Sequence, residues 1–163
     1  MSAMKLSEGI EWTAHACVAL AALPEGKGLS AVALAELHDL PPAYMAKHMQ
    51  ALSRAGIVES MRGPKGGYRL AKPATEITML DITLAIEGKE PAFRCSEIRQ
   101  RGPCKAECKP TELCGIAAAF LAAERVYREA LGGVILADIV MDTMASFTPD
   151  RIATFTDWVT SKT

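Results

Sequence analysis

Cys95, Cys104, Cys108 and Cys114 gather four of the five cysteines into a span of twenty residues, spaced C-x8-C-x3-C-x5-C. They fall in or just past a stretch, Lys89 to Leu113, that has few core-forming residues and is too long to be idle in a compact domain. Thiolate ligation of zinc or of an iron–sulfur cluster is the commonest reason for such a group, the alternative being loop thiols with no ligand. The spacing is neither the paired C-x2-C set of a zinc ribbon nor that of a ferredoxin. Cys17 lies on an apolar helical face and reads as packing. With 163 residues, half of them hydrophobic, the chain can bury a core without disulfide staples, and an odd cysteine count argues for metal or redox chemistry instead.

A second pair of ligand-type side chains stands near the N-terminus. Glu11 and His15 are one helical turn apart, at i and i+4, so both lie on one edge of a helix and can grip a single metal. The same pair can equally be a surface contact worth a few tenths of a kcal/mol. Trp12, between them, reads as a core or interface anchor.

These groups need elements to hold them. Ser7 can cap a helix from about Leu6 to Leu23, with Ile10, Ala14, Cys17, Val18 and Ala21 as its apolar stripe. Ser30 can cap a second, Ala31 to His38, and Asp39-Leu40-Pro41 then turns the chain into a third. Pro42 suits the first turn of that third helix and Gly56 its left-handed stop. On its wheel Met45, Met49 and Leu52 share one face, while Ala43, Lys47, Gln50 and Arg54 share the other. His38 and His48 have no evident ligand partner and read as packing or hydrogen-bonding residues.

Two short strands follow, Ile57 to Met61 and Tyr68 to Ala71, around the glycine-rich turn Arg62-Gly63-Pro64-Lys65-Gly66-Gly67. From Lys47 to Lys72 there are six Lys or Arg and one Glu, a net +5, inside a chain whose whole formal charge is −1. A basic helix face beside a basic hairpin, on an otherwise acidic body, is the electrostatic footprint of a DNA reader. The helix would enter the major groove, and the hairpin would reach phosphates or the minor groove. Ala43, Tyr44, Lys47, Gln50, Arg54, Arg62, Gly63, Lys65 and Gly66 are the expected DNA-facing residues.

Thr78 and Asp81 form a capping box for a helix from Met79 to Glu87, closed by Gly88, whose Leu80, Leu84 and Ile86 should complete the core. A long helix runs from Gly115 to Leu131, a short apolar one from Val134 to Met144, and Thr148-Pro149-Asp150 starts a last one reaching Trp158. That is more apolar helix than one small domain needs, and a homodimer interface is expected. The longest uncharged apolar run, Gly115 to Ala123, is far too short for a bilayer, and the first residues lack a signal-peptide core. A cytoplasmic protein with no membrane partner is expected. No C-x2-C redox pair or nucleophile elbow is present, so an enzyme is not expected.

Met4 to Trp12, the segment Leu40 to Pro73 with its RGPKGGY turn, Glu76 to Ile82, and the cysteines ahead of a long helix together resemble the IscR/NsrR-type bacterial transcription regulators. The likeness covers nearly the whole chain. It implies a mainly α fold with a small β-wing: a winged helix-turn-helix domain over residues 1–88, a cysteine-bearing sensor loop over 89–114, and a helical dimerisation region over 115–163. It implies a homodimer on a palindromic double-stranded operator. In many members an iron–sulfur cluster controls DNA binding; others lack it and respond to a small metabolite or a protein partner.

Cys108 and Cys114 match the family's last two cluster cysteines, while the short gap between Cys104 and Cys108 departs from its pattern. The fourth ligand is sometimes contributed by the partner subunit's N-terminal helix. The closest likeness is to a redox-sensing branch with mixed Cys, Glu and His ligation, which implies a [2Fe-2S] cluster held by Cys108 and Cys114 with Glu11 and His15, Cys104 competing. A clusterless or zinc-bound regulator of the same fold is the alternative.

Overall fold

Short-range signals set most of the helix boundaries. The computed structural model describes residues 6–63, 66–103 and 113–163, in which the chain runs α1 (Glu8–Ala21), α2 (Ala31–Glu36), α3 (Pro42–Arg54), β1 (Val58–Met61), β2 (Gly67–Leu70), α4 (Met79–Glu87), α5 (Gly115–Gly132), α6 (Leu136–Ala145) and α7 (Pro149–Lys162). Single 3-10 turns lie at Ala74–Glu76 and Ile98–Gln100. Ser30 Oγ accepts the Ala33 N–H at 3.0 Å and opens α2. Pro42 opens α3, and Gly56, at φ +69°, turns the chain out of it. Thr78 Oγ1 accepts the Asp81 N–H at 3.1 Å while Asp81 Oδ2 accepts the Thr78 N–H at 2.8 Å, completing the capping box of α4.

Strands β1 and β2 form an antiparallel hairpin with Val58 opposite Leu70 and Met61 opposite Gly67. A third segment joins it. Leu29, just before α2, exchanges two backbone hydrogen bonds with Tyr68, at 3.0 and 2.7 Å. The wing is thereby tied to the start of the helix-turn-helix rather than standing free.

The core lies where α1, α2, α3 and α4 meet under the hairpin. Leu29, Leu34, Met45, Met49, Leu52, Ile57, Ile77, Ile82 and Leu136 are fully buried there. Helices α2 and α3 pack most closely on each other, and α6 folds back onto α1. Met79 N–H donates to Val134 O at 2.9 Å and Leu136 N–H to Ile77 O at 2.8 Å, so a short bridge stitches the C-terminal helices to α4.

Several local expectations need correction. The buried face of α1 is Ile10, Thr13, Ala16, Cys17, Ala19 and Leu20, with Ala14, Val18 and Ala21 only half-buried. Thr13 can sit inside because its hydroxyl donates within its own helix, with Gly9 O at 2.7 Å and Ile10 O at 3.0 Å. Ser7 occupies the N-cap position of α1 without a side-chain cap; its N–H instead donates to Glu87 Oε1 at 3.2 Å, joining α1 to the end of α4. In α4 the buried residues are Ile82 and Thr83, while Leu80, Leu84 and Ile86 are half-buried. Helix α6 starts at Leu136 because Ile135 is spent on the bridge to Thr78. Among the described residues no helix is long and apolar enough to cross a membrane.

Candidate functional site

Helix α3 presents two unlike faces. Met45, Met49 and Leu52 are buried completely, and Ala43, Tyr44, Lys47, Gln50 and Arg54 are all exposed, as the spacing predicts. A helix held by three apolar side chains along one stripe leaves its polar side and its N-terminal turns free for a groove. Arg62 and Gly63 are exposed at the end of β1, with Gly63 at φ +113°. Gly66 is half-buried, and its N–H donates to Gly63 O at 2.8 Å. A Cβ at Gly66 would collide with the Met61 carbonyl oxygen, so the turn itself requires glycine there. Lys65 lies outside the described residues. One of the six cations is already engaged: Arg69 Nε meets Glu59 Oε1 at 2.6 Å across the hairpin.

The N-terminal helix touches this reader directly. Trp12 packs edge-on against Tyr44, with ring centroids 6.4 Å apart, and against His48 at 6.1 Å. Gly9 permits the approach, since a Cβ there would lie 2.5 Å from His48 Cε1. Burial, and then the Lys47 charge, hold the His48 pKa below the ordinary histidine value, so the ring favours its neutral form against Trp12. Sequence reasoning missed this contact. The one available signal was Gly9 itself, a residue that weakens a helix interior unless something must come close.

Glu11 and His15 are exposed on α1, and the structure gives His15 a neighbour that spacing could not supply: the His38 ring, 5.0 Å away between centroids. Burial, then the His15 charge, depress the His38 pKa.

At the other end, Cys114 is the N-cap of α5 and half-buried. Its side chain makes no capping hydrogen bond, yet the Ala117 and Ile116 backbone at the start of α5 and, less strongly, the Arg99 charge hold its pKa below the usual thiol value. A thiolate is the form that ligates metals, so this position suits a ligand. Cys95 is exposed, and its thiol faces Glu97 Oε1 at 3.6 Å. Cys17 is fully buried and its pKa is pushed up to about 12, consistent with a packing role. Cys104 and Cys108 lie outside the described residues. Among the described residues, no three His, Cys, Asp or Glu side chains converge as a metal-binding group within the chain.

The start of the cysteine-bearing stretch is pinned to α5. Arg128 forks onto the carbonyls of Lys89 at 3.2 Å and Glu90 at 3.0 Å while meeting Glu124 Oε1 at 2.7 Å, and Glu124 Oε2 accepts the Ala92 N–H at 3.0 Å. Phe93 stacks on Phe120 at 4.7 Å.

Comparisons with known proteins agree with this architecture. A family model described as Rrf2, iron-dependent transcriptional regulator, matches residues 6–142. YffB of Lactococcus lactis subsp. lactis, named as an HTH-type transcriptional regulator, is 31% identical over 144 residues, covering 88% of this chain and 92% of its own. Among solved structures, IscR from T. potens superposes with a TM-score of 0.66 at 23% identity, covering 89% of this chain and 93% of its own. CymR of B. subtilis gives 0.64 at 22%, covering 85% and 98%. At these identities the solved structures speak to fold alone.

Proposed function

The chain belongs to the Rrf2 family of transcriptional regulators, and from that premise we propose that it is a homodimeric operator-binding protein whose grip on DNA is set by a [2Fe-2S] cluster. It is a helix-turn-helix regulator and not an enzyme. The observation that carries the finer reading is the contact of Trp12 with Tyr44 and His48: the helix bearing Glu11 and His15 rests on the first turns of the DNA-reading helix.

On this reading Cys108 and Cys114 of one protomer hold the cluster together with Glu11 and His15 of the other, and Cys104 is the competing ligand. The residues suit the group, since Cys114 is biased toward thiolate and Glu11 and His15 share one exposed edge of α1. Two thiolates with a harder Glu/His pair raise a cluster's reduction potential above that of an all-thiolate site, and the bound group would supply a one-electron change near neutral conditions. The chain's own part is mechanical. A shift of α1 moves Trp12, and Trp12 bears on Tyr44 at the exposed start of α3 and on His48 one turn further along. Close packing at Gly9 leaves His48 no slack, so α1 and α3 move together.

Operator reading then falls to Ala43, Tyr44, Lys47 and Gln50, with Arg54, Arg62, Lys65 and the Gly63 and Gly66 backbone holding phosphate. The exposed apolar stripe of α5, with Ile116, Val126 and the outer side of Phe120 uncovered, supports a two-fold dimer, which a palindromic site requires. Iron content and visible absorption, measured anaerobically, test the assignment: Cys114→Ala and His15→Ala should lose the cluster. A wild-type spectrum in Cys114→Ala would sink it, and loss in Cys104→Ala alone would move the ligand position there. The second reading, a clusterless regulator answering to a metabolite or protein, draws on the likeness in fold to CymR, described as a global cysteine regulator; colourless, iron-free wild-type protein would favour it.

A further inference from the structure

We propose that Lys27 and Arg62 form a two-cation seat for one backbone phosphate at the foot of the wing, extending the DNA interface beyond the reading helix and the hairpin; this rests on the DNA-binding reading above. Lys27 lies between α1 and α2, far from the wing in sequence. The fold removes that distance. Leu29 pairs with Tyr68 through both backbone groups, so the Gly26–Leu29 segment runs into the edge of the wing sheet. Gly28 is pressed flush against the hairpin: a Cβ there would lie 2.6 Å from Met61 Sδ and 2.9 Å from Tyr68 O. On the facing side, a Cβ at Gly67 would collide with the Leu29 backbone. Two glycines at one crossing let the segments touch and the paired Leu29–Tyr68 hydrogen bonds hold them together, so Lys27 is carried as part of the wing.

Between these segments is a cleft of about 400 Å³ lined by Gly26, Lys27, Gly28, Met61, Arg62 and Gly63, with Thr163 at the end of α7. Among the described residues no Asp or Glu side chain lines it. Lys27 and Arg62 are both exposed, and neither has an ion-pair partner among the described residues. That distinguishes them from Arg69, neutralised by Glu59, and from Lys162, whose Nζ meets Glu36 at 2.7 Å. Two unpaired cations on a rigid, glycine-walled concavity beside the element that approaches the duplex match a phosphodiester, which needs charge and a close backbone and carries no sequence information.

The test uses the full-length protein and a duplex that the wild type selects from a random-sequence pool. Each phosphate contact contributes about 0.9 to the slope of log affinity against log salt, so in a dimer on two half-sites removing both cations should flatten the slope by about 1.8. Lys27→Ala alone should flatten it by less, because Arg62 stays on the same phosphate, with Lys27→Arg retaining the wild-type slope. Lys27→Ala and Arg62→Ala should be less than additive, because they share a phosphate. A single neutral methylphosphonate placed at the contacted position should weaken wild-type binding more than that of Lys27→Ala, in which Arg62 alone meets the phosphate. A wild-type slope in Lys27→Ala, or equal sensitivity of both proteins to every methylphosphonate position, overturns the seat while leaving the DNA-binding reading intact. Failure of the wild type to select any duplex overturns that reading and the seat with it.

Discussion

Helix α3, of 13 residues, buries Met45, Met49 and Leu52 completely, whereas α5, of 18, buries Ala117 and leaves Ile116, Phe120 and Val126 more than half exposed. The two helices are amphipathic in opposite senses relative to their own protomer. What α3 leaves outside is polar and cationic, and what α5 leaves outside includes, beside the exposed Arg125–Glu129 pair, a stripe of large apolar side chains. Each exposed face describes what is missing: an anionic groove for α3, and an apolar surface for α5. The helix-turn-helix region therefore buries its apolar stripe within one chain, and the C-terminal region leaves much of its own uncovered.

That contrast is broken most forcefully at Phe120. Phe120→Asp places a charge on the exposed apolar stripe and also removes the Phe93 stack within the chain, and sedimentation should show a monomer at micromolar concentration, as should Ile116→Asp, which leaves that stack in place. Linked half-site binding would be lost with it, an avidity of about 10²–10⁴ in operator affinity. A dimer with wild-type operator binding would remove the proposed interface. Leu52→Ala acts on the other side of the comparison. It should cost about 2–5 kcal/mol in urea unfolding, because a fully buried leucine leaves a cavity among Met45, Met49 and their neighbours, and the loss should persist at every protein concentration. A concentration-dependent loss would mean that the two regions are not independent.

The contrast itself was half visible in the sequence. Serine, threonine and proline at helix starts act over three residues, so Ser30, Pro42, Thr78 and Thr148 place the starts of α2, α3, α4 and α7 where the chain puts them. Period alone identifies Met45, Met49 and Leu52. It fails on α1, where a threonine that satisfies its own hydroxyl counts as core and three apolar residues, Ala14, Val18 and Ala21, do not. In α4 the same reading chooses Leu80, Leu84 and Ile86 over Ile82 and Thr83, because nothing local says which side meets α1 and α3. The candidate site divides likewise. The outer face of α3 follows from helical geometry, but Leu29 on Tyr68, Trp12 on His48 and His15 beside His38 are tertiary meetings of segments whose spacing carries no information about one another.

The smallest effect is expected at the joint between the two regions. Thr78 caps α4 with its hydroxyl and stands opposite Ile135, and the flanking residues close the stitch through Met79 N–H on Val134 O and Leu136 N–H on Ile77 O. Thr78→Ala removes the cap and leaves these backbone bonds in place, so the cost should be about 1 kcal/mol, with Thr78→Ser recovering most of it. The loss should be local before it is global. Met79 is at the first turn of the uncapped helix and Leu136 is fully buried, so hydrogen exchange should quicken at the Met79 and Leu136 amides while those of Met49 and Leu52 in α3 stay at wild-type protection. Equal quickening in α3 would make the capping box part of one cooperative unit with the reader. Unchanged exchange at Leu136 would mean that the stitch holds α6 without help from the cap.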